Sequence, residues 1–265
     1  MKLTNDNYYS LDANTEFMSA SQFKDFMKCE REALDKMTTP REPTKPMLVG
    51  SYVDAYFTED LEVWKEKNPQ IFKKDGTLLK DFEQANEIIE SIEQDQIFKD
   101  YISGQHQVIM TGEISGVKFK IKIDSLLENA IVDLKTMASI KELQWDNDKR
   151  RYVDFVELYG YDIQGAIYQE IVRQNIGKTL PFILAVATKE EGCDKALIQI
   201  DQEYLDNALE VVKKLAPRYD MIKKQLVFPI GCGKCSTCRK IKKVSGVISY
   251  KVLFGKEVNE EESGE

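Results

Sequence analysis

Two aspartates and a lysine give this chain its first chemical signal. Asp124 closes the run Val117–Asp124, while Asp133 and Lys135 stand two apart in the apolar run Ala130–Lys135. Residues two apart on a strand leave the same face. Carboxylates at neighbouring strand ends suit a hard cation bound through oxygen, Mg²⁺ or Mn²⁺. Lys135 beside them is placed to hold a nucleophilic water or a developing phosphate charge. Taken alone, a D-x-K is common, and its plain reading is an edge strand with Asp124 in a turn. A second signal lies at Cys232, Cys235 and Cys238. Three of five cysteines at intervals of three favour a thiolate-bound metal over free thiols, with Cys29, Cys193 or His106 as fourth ligand.

The elements that must position these groups can be read around them. Gln107–Ile114 and Val117–Asp124 flank Ser115-Gly116, a tight-hairpin signal, and Glu113 sits on the first of these strands. A helix is expected from Met47 to Asp60, with Asp54 on the face of Gly50, Phe57 and Leu61. An unpaired carboxylate on so apolar a face would be costly, and its plain reading is an aspartate interacting with the helix dipole. Tyr161–Asn175 reads as a helix with Gln164 and Tyr168 on one face. Ser19 and Gln22 spell a capping box before Phe23 and Phe26. Residues 1–17 read as an irregular arm, 64–80 as a polar connection, 80–101 as one helix and 139–159 as charged and partly helical. In that last segment, Trp145, Tyr152 and Phe155 read as packing rather than as a DNA-stacking surface. Phe182–Thr188 and Ala196–Asp201 read as strands, Gln202 to Lys224 as a long helix, and 257–265 as an acidic disordered end.

Composition narrows the classes. Hydrophobic residues are 42% and charged residues 31% of 265, ordinary for a water-soluble domain. The start is polar and no apolar run spans a bilayer, so a cytoplasmic protein without a membrane partner is expected. A net charge of −8 argues against a protein that simply coats nucleic acid, yet allows a nuclease with an acidic metal site and a local basic path. There is no HExxH, Walker A or GxSxG sequence.

The order Glu113, Asp124, Asp133, Lys135, then YDIQGAIYQE at 161–170 after VGSYVDAYF at 49–57, resembles the PD-(D/E)XK nuclease superfamily in its RecB-like and RecE-like phage exonuclease branch. The resemblance covers roughly residues 18–240. It implies an α/β fold, a restriction-endonuclease-like mixed sheet flanked by helices, as a single domain. Within it, 18–104 would form a helical layer, 105–225 the nuclease core and 226–250 a cysteine-bearing segment. It also implies a metal-dependent exonuclease acting on double-stranded DNA ends, with a single-strand annealing recombinase as a possible partner and homo-oligomers possible. Asp54, Asp124, Asp133 and Leu134 would hold Mg²⁺ or Mn²⁺. Lys135 would position water, Glu113 would reach the site or a metal-bound water, and Gln164 and Tyr168 would support it. Relatives usually carry histidine where this chain has Asp54. Some join one cysteine before the core to three after it around a [4Fe–4S] cluster, a layout that Cys29, Cys232, Cys235 and Cys238 match. The last spacing here is shorter than theirs, which keeps Zn²⁺ open. The rival readings are a non-catalytic DNA-binding scaffold and an endonuclease of the same fold.

Overall fold

The computed structural model describes residues 1–39, 42–147 and 149–253; the acidic end at 257–265 lies outside them. Before the sheet come seven helices: α1 (Leu11–Glu16), α2 (Ala20–Lys28), α3 (Glu30–Thr38), α4 (Lys45–Phe57), α5 (Leu61–Lys67), α6 (Lys80–Glu93) and α7 (Gln96–Ile102). The sheet begins with β1 (Gln105–Ile114), β2 (Val117–Leu126) and β3 (Ile131–Met137). A separate hairpin, β4 (Gln144–Asp146) and β5 (Arg151–Val153), leads to α8 (Phe155–Tyr159) and α9 (Tyr161–Ile176). Strands β6 (Phe182–Thr188) and β7 (Lys195–Gln199) complete the sheet before α10 (Gln202–Lys223) and the short α11 (Ser236–Lys240).

The five strands lie in the order β1-β2-β3-β6-β7. All neighbours are antiparallel except β3 and β6, which are parallel. This is the mixed sheet flanked by helices that the sequence implied. Strand β6 is buried along its whole length, as a central strand with both faces covered must be. Phe182, Leu184 and Val186 join α2, α9 and α10 in one core, while Ile183, Ala185 and Ala187 join α4, α6 and α7 in the other. The helices of 18–104 are thus divided between the two faces rather than stacked in one layer.

Several local expectations change. Residues 1–17 carry α1 and are pinned to the sheet, Met18 exchanging backbone hydrogen bonds with Lys118 and Lys120. The buried Lys120 donates to Asn14 Oδ1 at 2.8 Å and to the Tyr8 carbonyl, so its need for acceptors fixes the arm. The 64–80 connection holds α5 and a 3₁₀ turn at Pro69–Ile71, because Ile71 is drawn into the core. The 80–101 helix breaks at Asp95, whose carboxylate accepts the Phe98 N–H at 3.0 Å and starts a new helix. The capping box at Ser19 and Gln22 is present.

Close packing of α9 on β6 depends on Gly165. A Cβ there would stand 2.6 Å from Phe182 Cδ1 and 2.8 Å from Leu205 Cδ2. Gly165→Ala should therefore lower stability by about 1–3 kcal/mol despite its better helix propensity. A denaturation midpoint at or above that of the parent protein would show that the helix shifts freely.

Candidate active site

The antiparallel pairing of β2 with β3 brings the strand carboxylates together. Asp124 lies two residues before the end of β2, and its Oδ2 accepts the Leu134 backbone N–H at 3.0 Å. Asp133 is 2% exposed, and its Oδ1 accepts from Gln164 Nε2 at 2.9 Å. Its Oδ2 is in ion-pair contact with the Lys135 ammonium, yet no hydrogen-bond donor is aligned with it. The ammonium points instead at the Leu134 carbonyl, 3.3 Å away. Helix α4 adds Asp54. One turn earlier, α4 passes β3 at Gly50, where an added Cβ would make only an ordinary contact of 3.4 Å with Thr136 Oγ1.

The electrostatics describe a site waiting for positive charge. Burial pushes the Asp124 carboxyl well above the usual range, and the charge of Asp133 pushes it further while Lys135 pulls it back. Burial also raises Asp54, against the pull of Lys135 and Lys122. Burial alone would lower Lys135, but Asp133 and Asp124 beside it hold it above the ordinary lysine value. An almost fully buried carboxylate oxygen without an aligned donor, beside two more carboxylates, fits a divalent cation bound through oxygen. These four groups share a cavity of about 450 Å³ with Gln107, Gln164, Tyr168, Tyr8 and Tyr9.

Not every expected residue arrives. Glu113 is exposed at the turn end of β1, paired in register with Lys118, and both its backbone polar groups bond the Gln174 side chain. The hairpin places Asp124 at one end and Glu113 at the other, roughly 20 Å apart at ~3.4 Å per residue. Tyr168 donates to the Lys122 carbonyl at 3.0 Å, steadying β2 rather than touching a carboxylate. His106 faces the Asp124 carbonyl, with Nδ1 at 3.3 Å. Two residues were missed. Gln107 Nε2 donates to Asp54 Oδ2 at 3.1 Å. Lys24 donates to Gln164 Oε1 at 3.1 Å, and burial, with the charge of Lys135, lowers its pKa to about 8. The helical spacing from Ser19 carried no hint of Lys24, whereas the hairpin register did point to position 107.

The cysteines form a second centre. Cys29, between α2 and α3, meets Cys232, Cys235 and Cys238, with all four sulfurs within 4.8 Å of one another. Cys29 Sγ lies 3.6 Å from Cys238 Sγ and 3.7 Å from Cys235 Sγ. Backbone N–H groups point at the sulfurs: Lys234 and Cys235 donate to Cys232, and Cys238 donates to Cys235. Such donors stabilise thiolates. These spacings match the edge of a tetrahedron with metal–sulfur bonds of about 2.3 Å. A four-iron cubane would need the thiolates farther apart. Cys193 is packed in the α4–α6 core and His106 belongs to the carboxylate site, so neither is the fourth ligand here. Glu30 clamps the segment from the side, pairing with Arg218 at 2.7 and 2.8 Å and accepting the Ile230 N–H at 2.6 Å.

A mixed sheet bearing strand carboxylates, a D-x-K lysine and a supporting glutamine helix defines a fold of the PD-(D/E)XK type. The chain belongs to the family described as "PDDEXK-like domain of unknown function (DUF3799)", whose model matches residues 19–241. A 2.19 Å crystal structure from Eubacterium rectale, named "Putative exonuclease", is similar to it over 96% of this chain and 98% of that one. The identity is 47% and the TM-score 0.89. A search of curated proteins finds no match. Among the described residues, no helix is long and apolar enough to cross a membrane.

Proposed function

We propose that this protein is a metal-dependent deoxyribonuclease that degrades DNA from its ends. The observation that carries this reading is the buried Asp133 Oδ2, lacking an aligned donor and set beside Asp124, Asp54 and Lys135. Asp54, Asp124, Asp133 and the Leu134 carbonyl would hold Mg²⁺ or Mn²⁺, which supplies Lewis-acid activation of phosphate and water when bound. Gln164 fixes the Asp133 carboxylate, and Lys24 fixes Gln164 in turn. Lys135, held protonated by its two aspartates, orients the attacking water and offsets charge on the phosphate. The arm and α2 line one side of the cavity of about 450 Å³ that holds these groups. The name of the Eubacterium rectale relative favours ends over internal positions. Duplex ends prepared for phage-type recombination are the substrate proposed.

The test compares end-labelled linear duplex with closed circular duplex in Mg²⁺ or Mn²⁺. Short labelled products from the linear DNA and an intact circle are expected. Nicking of the circle would make the protein an endonuclease, and inertness toward both substrates in either metal would remove the nuclease reading.

A further inference from the structure

Among the described residues, six non-glycine residues have positive φ: Glu59, Gln107, Ser115, Arg150, Cys193 and Gln225. Five of them sit at turns or beyond helix ends. Gln107, at φ 53°, is inside β1. A side chain in the left-handed region crowds its own backbone, and glutamine has none of the local compensation open to asparagine or aspartate. The strand does not slip to accommodate it. His106 still pairs with Ser125 and Val108 with Ile123, so the distortion is confined to the one position opposite Asp124. There the carboxamide turns to Asp54, with Nε2 at 3.1 Å from Oδ2 and 3.5 Å from Oδ1.

We propose that Gln107 is a positioning residue for the metal site, its amide fixing the Asp54 carboxylate beside Asp124 and Asp133. A strained backbone persists where surrounding structure over-determines it and function uses it. The geometry states that use: an amide donor held on one carboxylate oxygen restricts rotation of Asp54, which α4 presents from outside the sheet. This inference rests on the reading of Asp54, Asp124 and Asp133 as metal ligands.

The experiment measures Mn²⁺ binding by calorimetry, without DNA, and melting temperature for the whole chain with its thiolate centre intact. Gln107→Ala removes the amide and keeps the strain, whereas Gln107→Gly removes both. Both variants should bind Mn²⁺ about 10-fold or more weakly. Gln107→Gly should nonetheless melt above Gln107→Ala, because glycine accepts this φ freely. In an Asp54→Asn background, Gln107→Gly should change affinity no further, since the two act as one unit. Parental affinity in both Gln107 variants would overturn the proposal, as would Gln107→Gly melting no higher than Gln107→Ala. Asp133→Asn separates the two levels. If it binds Mn²⁺ as the parent does, or if the parent binds none, the metal reading itself fails and the inference goes with it.

Discussion

Asp133→Asn should lower DNA cleavage by at least ~100-fold while leaving the fold intact. Asparagine keeps the shape of the side chain and an oxygen to accept from Gln164, so the hydrogen bond at 2.9 Å can persist. What it removes is charge at a position only 2% exposed. Alanine is the poorer probe, because it also leaves Gln164 unpaired, whereas either substitution takes the carboxylate charge from the Lys135 ammonium, whose side chain is only 23% exposed. The charge that is lost is also part of what pushes Asp124 up, after burial. That link fixes the sign of the pH dependence. Between the unfolded carboxylate value of about 3.9 and the raised folded value, the native protein holds a proton that the unfolded chain has released. Stability of the metal-free site therefore falls as pH rises through that window. On the proposed reading, Mn²⁺ would bind the deprotonated carboxylates and should restore more stability at the upper end than at the lower. Asp133→Asn should blunt both trends. Cleavage by Asp133→Asn near the parental rate would end the assignment.

Much of this site could be read from the chain because strands advertise it. The period of two put Asp133 and Lys135 on one face, and Ser115-Gly116, with φ of 50° and 77°, forms the hairpin that the sequence predicts. Helix α9 likewise presents Gln164 to Asp133 as its face suggested. The error at Glu113 is instructive, since an acidic residue attracted a role that register denies it. A two-residue hairpin pairs Ile114 with Val117, so the partner of Asp124 must be residue 107, a neutral glutamine that charge-seeking overlooks. Lys24 was illegible for a different reason. Its contact with Gln164 spans 140 residues, and only the docking of α2 beside α9 creates it. The segment 139–159 is partly helical as expected, through α8, but its charged residues hid the short hairpin before that helix. Trp145 and Tyr152 are cross-strand partners there, 5.3 Å apart and both exposed.

Cys29→Ser and Cys235→Ser should destabilise the protein by similar amounts, about 5 °C or more in melting temperature, while Cys193→Ser stays close to the parent. The reasoning starts from chain length. Cys29 and Cys238 are 209 residues apart in sequence and 3.6 Å apart at sulfur. A metal held by both closes nearly the whole chain into a loop, and a cross-link of that span removes much of the freedom of the unfolded state. Loss of either thiolate opens the loop, so the position of the ligand within the centre should matter little. Cys193 contributes only its packing in the α4–α6 core, which serine nearly preserves in volume. Without metal, the C-terminal segment keeps the Glu30 clamp and the hydrogen bond from Thr237 to Asp35 at 3.1 Å. Chelated protein should therefore loosen at that segment first. Metal analysis of anaerobically purified protein identifies the centre, with iron and sulfide in brown protein for a cluster or one zinc in colourless protein for a single ion. A chelator that leaves melting unchanged, together with Cys29→Ser melting like Cys193→Ser, would show that the four sulfurs meet without holding the chain together.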